Sequence, residues 1–415
     1  MKGQPEASLL PVYFVLFIDN FAFAVIFAIF GPLFIDPSYG MVTAAMSSVS
    51  KNLMLGVALG LFPLGQFIGA PFLGDIADRF GRKRAFYITI TGVIIGFILS
   101  GFSILIHSYI LLILMRLITG FFAGNLSICL ASIADLSPDE KTRAKNFSII
   151  VIITGLSWMF AMLSGGYLSD PSISSHFNPA LPFFATAVLA LLSLLSIIYF
   201  FRETHPTKGK FHVDLLKGFR DIRATLEIKE LRMLYLIYMF WILGWGLAFQ
   251  WYSPFSLQKF GISPIEVNWS QFAVGITWMF GGYFVNNFII KRWHPRPWIV
   301  GANALTMLCL LGMALSNSFL PFALFFTAAT IPSAFSWPNT LNMISINAPA
   351  EVQGKIMGIS QSAQSMGFIL ATIFGGIVAA VGLGSVYYIT ATFLFFSFIL
   401  LFNFHIKKPT TSEKP

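Results

Sequence analysis

The chain alternates long apolar runs with short polar connections. Each run approaches or exceeds the ~20 apolar residues that a helix needs to cross a bilayer. The pattern predicts an all-α integral membrane protein with twelve transmembrane helices, numbered here as spans 1 to 12. The runs lie at residues 9–35, 52–73, 86–106, 109–134, 146–168, 181–201, 231–252, 270–290, 298–315, 319–345, 356–380 and 386–404.

The longest polar stretch, residues 202–230, separates span 6 from span 7. It divides the chain into a first half at 1–201 and a second half with a short tail at 231–415. Within the stretch, four apolar residues recur at helical spacing: Leu215, Phe219, Ile222 and Leu226. Such a face predicts an amphipathic linker helix on the inner membrane surface, with a regulatory role as the open alternative.

The two halves also share a sequence pattern. Pro138-Asp139-Glu140 precedes a span that ends in Gly165-Gly166, and Pro349-Ala350-Glu351 precedes one that ends in Gly375-Gly376. Related halves are a feature of transporters that hold their substrate near the membrane midplane, between the halves.

Composition and charge support a membrane protein. The chain is 56% hydrophobic and only 10% charged, whereas soluble proteins carry about a quarter charged residues. The formal net charge of +9 comes from Lys and Arg in alternate loops, which places both termini in the cytoplasm. The positive charge is therefore a topology signal, and no nucleic-acid partner is expected.

Residues 74–84, Gly-Asp-Ile-Ala-Asp-Arg-Phe-Gly-Arg-Lys-Arg, stand between spans 2 and 3. A basic loop alone would not need this spacing of glycine and aspartate. The pattern resembles the cytoplasmic loop signature of the major facilitator superfamily, whose fold has two six-helix halves. The resemblance implies a conformational latch between the halves, with the helix near Lys355 as the target of the aspartate. The latch residues would be Gly74, Asp78, Arg79, Gly81, Arg82 and Lys83.

Residues 116–124 of span 4, Arg-Leu-Ile-Thr-Gly-Phe-Phe-Ala-Gly, resemble the drug/proton antiporter branch of that superfamily, which includes tetracycline exporters. The resemblance implies a role in proton coupling for Arg116, and a purely structural arginine remains the alternative. Gly120 and Gly124 share a helix face with Arg116 and permit close helix approach. The same packing role is expected of Gly155, Gly165 and Gly166 in span 5.

Asp19 is the carboxylate in the middle of a span. It lies ~15 Å into span 1, and Arg116 lies ~10 Å from the outer end of span 4. In a core ~30 Å thick, these depths differ by ~5 Å, so the two side chains would meet if both spans line one cavity. A carboxylate in lipid favours its neutral form, and a neighbouring arginine favours the charged form. Asp19 and Arg116 are therefore the proposed proton-coupling pair, with a packing role for Asp19 as the alternative.

The second half carries no ionised residue deep in a span, but it is rich in amides and tryptophans. A neutral aromatic wall suits an organic solute better than a bare metal ion, which prefers clustered carboxylates. No phosphate-binding Gly-x-x-x-x-Gly-Lys loop occurs, and Cys129 and Cys309 lie inside apolar runs, so no cofactor, metal or catalytic site is expected. The candidate cavity residues are Asn20, Trp241, Trp245, Gln250, Trp337, Asn339 and Gln361.

These observations predict a monomeric secondary transporter, not an enzyme, in the cytoplasmic membrane. The leading hypothesis is proton-coupled efflux of a small organic solute. Antiporters of the branch carry Gly-Pro before the Gly-Gly of span 5, whereas Ala161-Met162 stand here. Uptake of a metabolite or metal-chelating organic solute by symport therefore remains open, as does a non-transporting sensor.

The distribution of Lys and Arg makes the topology testable. In intact cells, a membrane-impermeant thiol reagent should label a cysteine at Ser38→Cys but not one at Thr207→Cys, because the loop at 202–230 is placed in the cytoplasm. Labelling of Thr207→Cys without labelling of Ser38→Cys would reverse the orientation.

Overall fold

The computed structural model describes residues 9–137, 140–204, 229–293, 295–346 and 353–404. Within these ranges, twelve helices are long and apolar enough to cross a membrane, which confirms the predicted number of spans. The predicted linker helix at 215–226 lies outside the described residues.

The first six spans are helical over most of their length. Their helices are Leu10–Ile35 for span 1, Ser48–Phe80 for span 2, Arg82–Leu105 for span 3, Tyr109–Phe122 and Asn125–Asp135 for span 4, Glu140–Ser169 for span 5, and Leu181–Phe200 for span 6. A short 3-10 helix, Pro37–Tyr39, follows span 1.

The second six spans follow the same scheme. Their helices are Lys229–Gln250 for span 7, Pro264–Met279 and Asn286–Ile290 for span 8, Pro295–Leu315 for span 9, Phe319–Ile346 for span 10, Gln353–Gly382 for span 11, and Ser385–Asn403 for span 12. A π-helical turn, Phe280–Val285, joins the two parts of span 8. An additional helix, Tyr252–Phe260, follows span 7.

Several helices extend beyond the apolar runs from which they were predicted. Span 2 was expected at 52–73 but continues to Phe80, so that Gly74, Asp78 and Arg79 lie on its last turns and not in a loop. Span 8 was expected from 270 but begins at Pro264, where Ser263 and Glu266 form a capping box. Apolar runs mark only the lipid-facing length of a helix, whereas capping residues mark where it begins.

Span 4 is interrupted between Phe122 and Asn125. Gln66 of span 2 donates a hydrogen bond of 3.0 Å to the carbonyl of Ala123 inside the break, so the interruption leaves this backbone group paired, as a lipid environment requires. The neighbouring glycines face span 2. A Cβ on Gly120 would overlap the backbone of Phe62, and one on Gly124 would come within 3.0 Å of Ala70 Cα.

Two pairs of spans join the two halves. Span 2 packs along span 11, and span 5 packs along span 8. In span 5, Gly155 lies against Gly275 and Met279, and Gly166 lies against Asn268. The third glycine of the set, Gly165, faces span 1 at Val25 and Ala28.

The halves meet closely at the end of the bundle where span 1 ends and span 2 begins, named here the far end. A Cβ on Gly56 would lie 3.2 Å from the carbonyl oxygen of Thr372. Asn52 donates to Ala379 O at 3.4 Å and accepts from Gln258 at 2.9 Å. Backbone-to-backbone packing and hydrogen bonds therefore close the far end of the interface.

Candidate functional site: a central cavity and two charged centres

A cavity lies between the halves, midway along the spans. The space open to the centre of a water molecule is about 140 Å³, enough for roughly ten waters or a small organic molecule. Most of the lining is aromatic and comes from both halves: Phe23, Phe27, Trp158, Trp241, Trp245, Phe249, Trp278, Trp337 and Phe368. The polar members are Asn20, Thr154, Gln250, Gln271 and Gln364.

The aromatic rings contact one another as a continuous wall. Trp158 of span 5 meets Phe249 of span 7 edge-to-face at 4.5 Å and stacks on Phe27 at 5.8 Å. Trp245 stacks on Trp278 at 5.7 Å. Rings that pack against each other are held in fixed orientations, and their free faces suit a flat apolar or aromatic solute.

Several polar atoms at the cavity have no partner among the described residues. They are Trp241 Nε1, Gln250 Oε1, and both Oε1 and Nε2 of Gln271. Buried polar groups nearly always have a hydrogen-bond partner, and leaving one unpaired costs about 1–3 kcal/mol. These donors and acceptors are therefore available to a polar molecule bound in the cavity.

Five of the seven cavity residues predicted from sequence line this space: Asn20, Trp241, Trp245, Gln250 and Trp337. Asn339 does not. Its amide donates to Asn286 and to the carbonyl of Phe335. Gln361 is also absent from the lining, and Gln364, one turn further along span 11, takes its place.

Span 8 supplies a group of lining residues that the sequence reasoning did not select. Gln271, Val274, Gly275 and Trp278 have the i, i+3, i+4, i+7 spacing of one helix face. The signal was therefore present within the predicted run at 270–290, but the sequence reasoning did not use this spacing.

Asp19 and Arg116 do not form the expected pair. Asp19 accepts a hydrogen bond of 3.0 Å from Asn125 Nδ2. The guanidinium of Arg116 lies over the rings of Phe62, at 4.5 Å, and Phe30, at 5.6 Å. No ion pair joins the two charges in the described part of the chain.

The length of the helices explains why the side chains of Asp19 and Arg116 do not meet. Spans 1 and 4 cover 26 and 27 residues, so each is ~39 Å long and not ~30 Å. Asp19 is ~14 Å from the start of span 1, and Arg116 is ~10 Å from the far end of span 4. Their depths therefore differ by ~15 Å, three times the value expected from the thickness of the hydrocarbon core.

A charged network joins spans 2, 3 and 4 at the end of the bundle opposite the far end. Arg82 binds Asp78 at 2.6 Å and Asp135 of span 4 at 3.4 Å. Arg79 pairs with Asp75 at 2.8 Å. The expected target of Asp78, near Lys355, lies outside the described side chains, so this part of the latch remains a prediction.

Glu203, which follows span 6, caps the first turn of span 3. Its carboxylate accepts hydrogen bonds from the backbone N–H groups of Arg82, at 2.8 Å, and Lys83, at 3.0 Å. Lys83 Nζ in turn donates to the carbonyl of Ile198 at 3.0 Å. Gly81 adopts a positive φ of 97° beside the carboxylate, where a Cβ would overlap it. The sequence held no signal for this contact, because the partners are about 120 residues apart.

A solute-sized cavity between two bundles of membrane-spanning helices is the architecture of a secondary transporter. The superfamily model described as "Major Facilitator Superfamily" matches residues 9–325 and 234–415. The chain therefore belongs to the Major Facilitator Superfamily, as the loop signature predicted, and it is a transporter and not an enzyme.

Curated relatives and a solved structure agree with this assignment. The chain is 26% identical over 312 residues to the tetracycline resistance protein, class B, of Escherichia coli, covering 73% of each chain. It is 26% identical over 332 residues to the quinolone resistance protein NorA of Staphylococcus aureus, covering 78% of this chain and 80% of NorA. The human organic anion transporter MFSD10 (TETRAN) shares the fold, with a TM-score of 0.71 and 20% identity over 96% of this chain and 100% of its own.

The capping contact of Glu203 leads to a testable prediction. Glu203→Ala should lower the free energy of unfolding by roughly 1 kcal/mol, because two N–H groups at the start of span 3 lose their acceptor. Glu203→Gln, which keeps an acceptor oxygen, should lose less. Thermal unfolding of the purified protein in detergent measures both. An alanine variant as stable as the unmodified protein would show that the cap contributes nothing.

Proposed function

We propose that this protein exports a small, largely uncharged organic solute from the cytoplasm in exchange for protons. The observation that carries the proposal is the central cavity, which combines an aromatic wall with amide groups that have no protein partner. No charged side chain is among the described residues that line it. A solute with a flat apolar body and a few hydrogen-bonding groups complements such a surface.

Two lines of support favour export of organic compounds. The relatives that match most of the chain are named for resistance to tetracycline and to quinolones. The sequence around Arg116 also resembles drug/proton antiporters, as described above. The protein is expected to act as a monomer in the cytoplasmic membrane, with both termini in the cytoplasm, as the Lys and Arg distribution indicates.

The transport cycle follows from the arrangement of the halves. With the far end closed by the contacts of Gly56 and Asn52, a solute would reach the cavity from the other end. Rocking of one half against the other would separate spans 2 and 11 and spans 5 and 8 at the far end. The network of Asp78, Arg82 and Asp135 lies within the first half and would hold spans 2, 3 and 4 together during this movement.

Asp19 is the proposed proton carrier. Its carboxylate lies inside the membrane region and has a single neutral partner, Asn125, among the described residues. An ionised carboxylate in this position is costly, so a proton bound there is released only when the surroundings change. Arg116 acts at a different depth, through its ring contacts, and not by pairing with Asp19.

Uptake by symport is the second candidate, and one feature of span 5 favours it. Where antiporters of the branch carry Gly-Pro, Ala161 and Met162 are fully buried within an unbroken helix, Glu140–Ser169. A span 5 without this Gly-Pro pair would hinge differently, so the direction of transport need not follow that of the relatives.

Substitution of Gln271 tests whether the central cavity binds the solute. Quenching of the cavity tryptophans first identifies a bound solute from a library. Gln271→Leu should then weaken its binding by roughly tenfold or more, because the amide's hydrogen bonds are lost. Gln361→Leu is the matched control, a membrane-span glutamine outside the cavity lining, and should bind normally. Equal affinity in both variants would place the solute elsewhere.

Substitution of Asp19 tests whether this residue couples transport to protons. In proteoliposomes, Asp19→Asn should abolish solute accumulation driven by a proton gradient but preserve solute exchange, because exchange needs no net change in protonation. Asp36→Asn, in the connection after span 1, is the control and should accumulate solute normally. Full proton-driven accumulation by Asp19→Asn would make Asp19 structural and would leave the coupling residue to be found elsewhere.

A further inference from the structure

We infer that Asp19, Asn125 and Ser193 form a binding site for one sodium ion inside the first half of the protein. The site is distinct from the central cavity, since the two share no lining residue. The inference concerns the same carboxylate as the proposed proton coupling, but sodium binding requires neither transport nor the organic solute.

The geometry is that of a small void between four spans. Asp19 comes from span 1, Asn125 from span 4 and Ser193 from span 6, and span 3 closes the void with Ile90 and Val93. The space open to the centre of a water molecule is about 10 Å³, which is room for one water-sized occupant. Sodium fits such a void with less rearrangement than the larger potassium ion.

Two oxygen atoms at the void lack a partner in the described part of the chain. They are Asn125 Oδ1 and Ser193 Oγ, on side chains that are only 3% and 1% exposed. Asn125 Nδ2 donates to Asp19 Oδ1, so the amide is oriented by the carboxylate and its own oxygen remains available.

Ser193 differs from other buried hydroxyl residues in the membrane spans. Thr186, two turns earlier on the same helix, donates to the carbonyl of Pro182 at 2.7 Å, and Ser132 donates to Ile128 at 2.8 Å. Such bonds to the preceding turn are the usual solution for a hydroxyl in a helix. Ser193 makes no such bond, so its oxygen is available to an occupant of the void.

The charge of Asp19 determines which kind of ion can occupy the void. Among the described residues no cation pairs with Asp19, and an ionised carboxylate in the membrane interior must be neutralised. A proton neutralises it in the proposed coupling, but the oxygens of Asn125 and Ser193 then stay unpaired, so sodium would occupy the site when Asp19 has released its proton. A hard cation binds carboxylate, amide and hydroxyl oxygens together. One carboxylate balances one positive charge, which favours a monovalent ion over calcium or magnesium.

The experiment uses the full-length protein purified in detergent, with choline chloride keeping ionic strength constant. Sodium chloride should raise the melting temperature in a saturable way, because a ligand that binds only the folded state stabilises it. Radioactive sodium should bind with a stoichiometry near one per chain. Potassium should have little effect.

Variants assign the effect to the site. Ser193→Ala should weaken sodium affinity by roughly tenfold through loss of one oxygen ligand, and Asp19→Asn should abolish binding. Thr186→Val is the matched control, a buried hydroxyl on the same helix that bonds within its own helix, and should bind sodium normally. Sodium stabilisation that persists unchanged in Ser193→Ala and Asp19→Asn would overturn the site.

The inference would also be overturned if sodium stabilised the unmodified protein no more than choline does. The void would then be expected to hold a water molecule. Quenching of the cavity tryptophans by solute, measured in choline chloride, separates this failure from a failure of the proposed function. Solute binding without sodium binding would refute only the sodium site.

Discussion

Polar groups inside a bilayer have no water to bind, so each must find a partner within the protein or face an internal space. Most of the polar side chains in the spans obey this by local bonding. Buried serines and threonines such as Ser132 and Thr186 donate to a carbonyl of the preceding turn, and Gln66 pairs the carbonyl released by the break in span 4. Some of the exceptions lie at the central cavity and around Asp19, where they are available to a bound molecule or ion.

Close helix contacts join the two halves and suit the proposed rocking movement. Glycines of span 5 and span 8 bring their backbones together, and Gly56 does the same between spans 2 and 11. Close backbone contacts can slide or separate with few rotamer changes, which suits movement of helices as rigid bodies. The charged network of spans 2, 3 and 4 lies at the other end, where Arg82 holds two carboxylates and Glu203 fixes the start of span 3.

Apolar runs and the loop signature were sufficient to predict twelve spans and the superfamily, because lipid imposes a composition that no soluble fold shares. The candidate site was only partly predictable. Tryptophans at helical spacing identified part of the cavity wall. Asn339 was misplaced because its hydrogen bonds to Asn286 and to the carbonyl of Phe335 cannot be read from spacing. The pairing of Asp19 with Arg116 failed because the helices are longer than the hydrocarbon core. Glu203 was missed because its partners are remote in the chain.

Span 1 connects the two internal spaces. Asp19 and Asn20 are consecutive, so their side chains point about 100° apart on the helix, Asp19 into the small void and Asn20 into the central cavity. One turn further, Phe23 contacts Phe368 of span 11, and after a second turn Phe27 contacts Phe249 of span 7. A rotation of span 1 that follows neutralisation of Asp19 must therefore move rings that line the solute cavity and meet the opposite half. In the proposed mechanism, this shared helix would link an ion at Asp19 to the solute without an ion pair across the cavity.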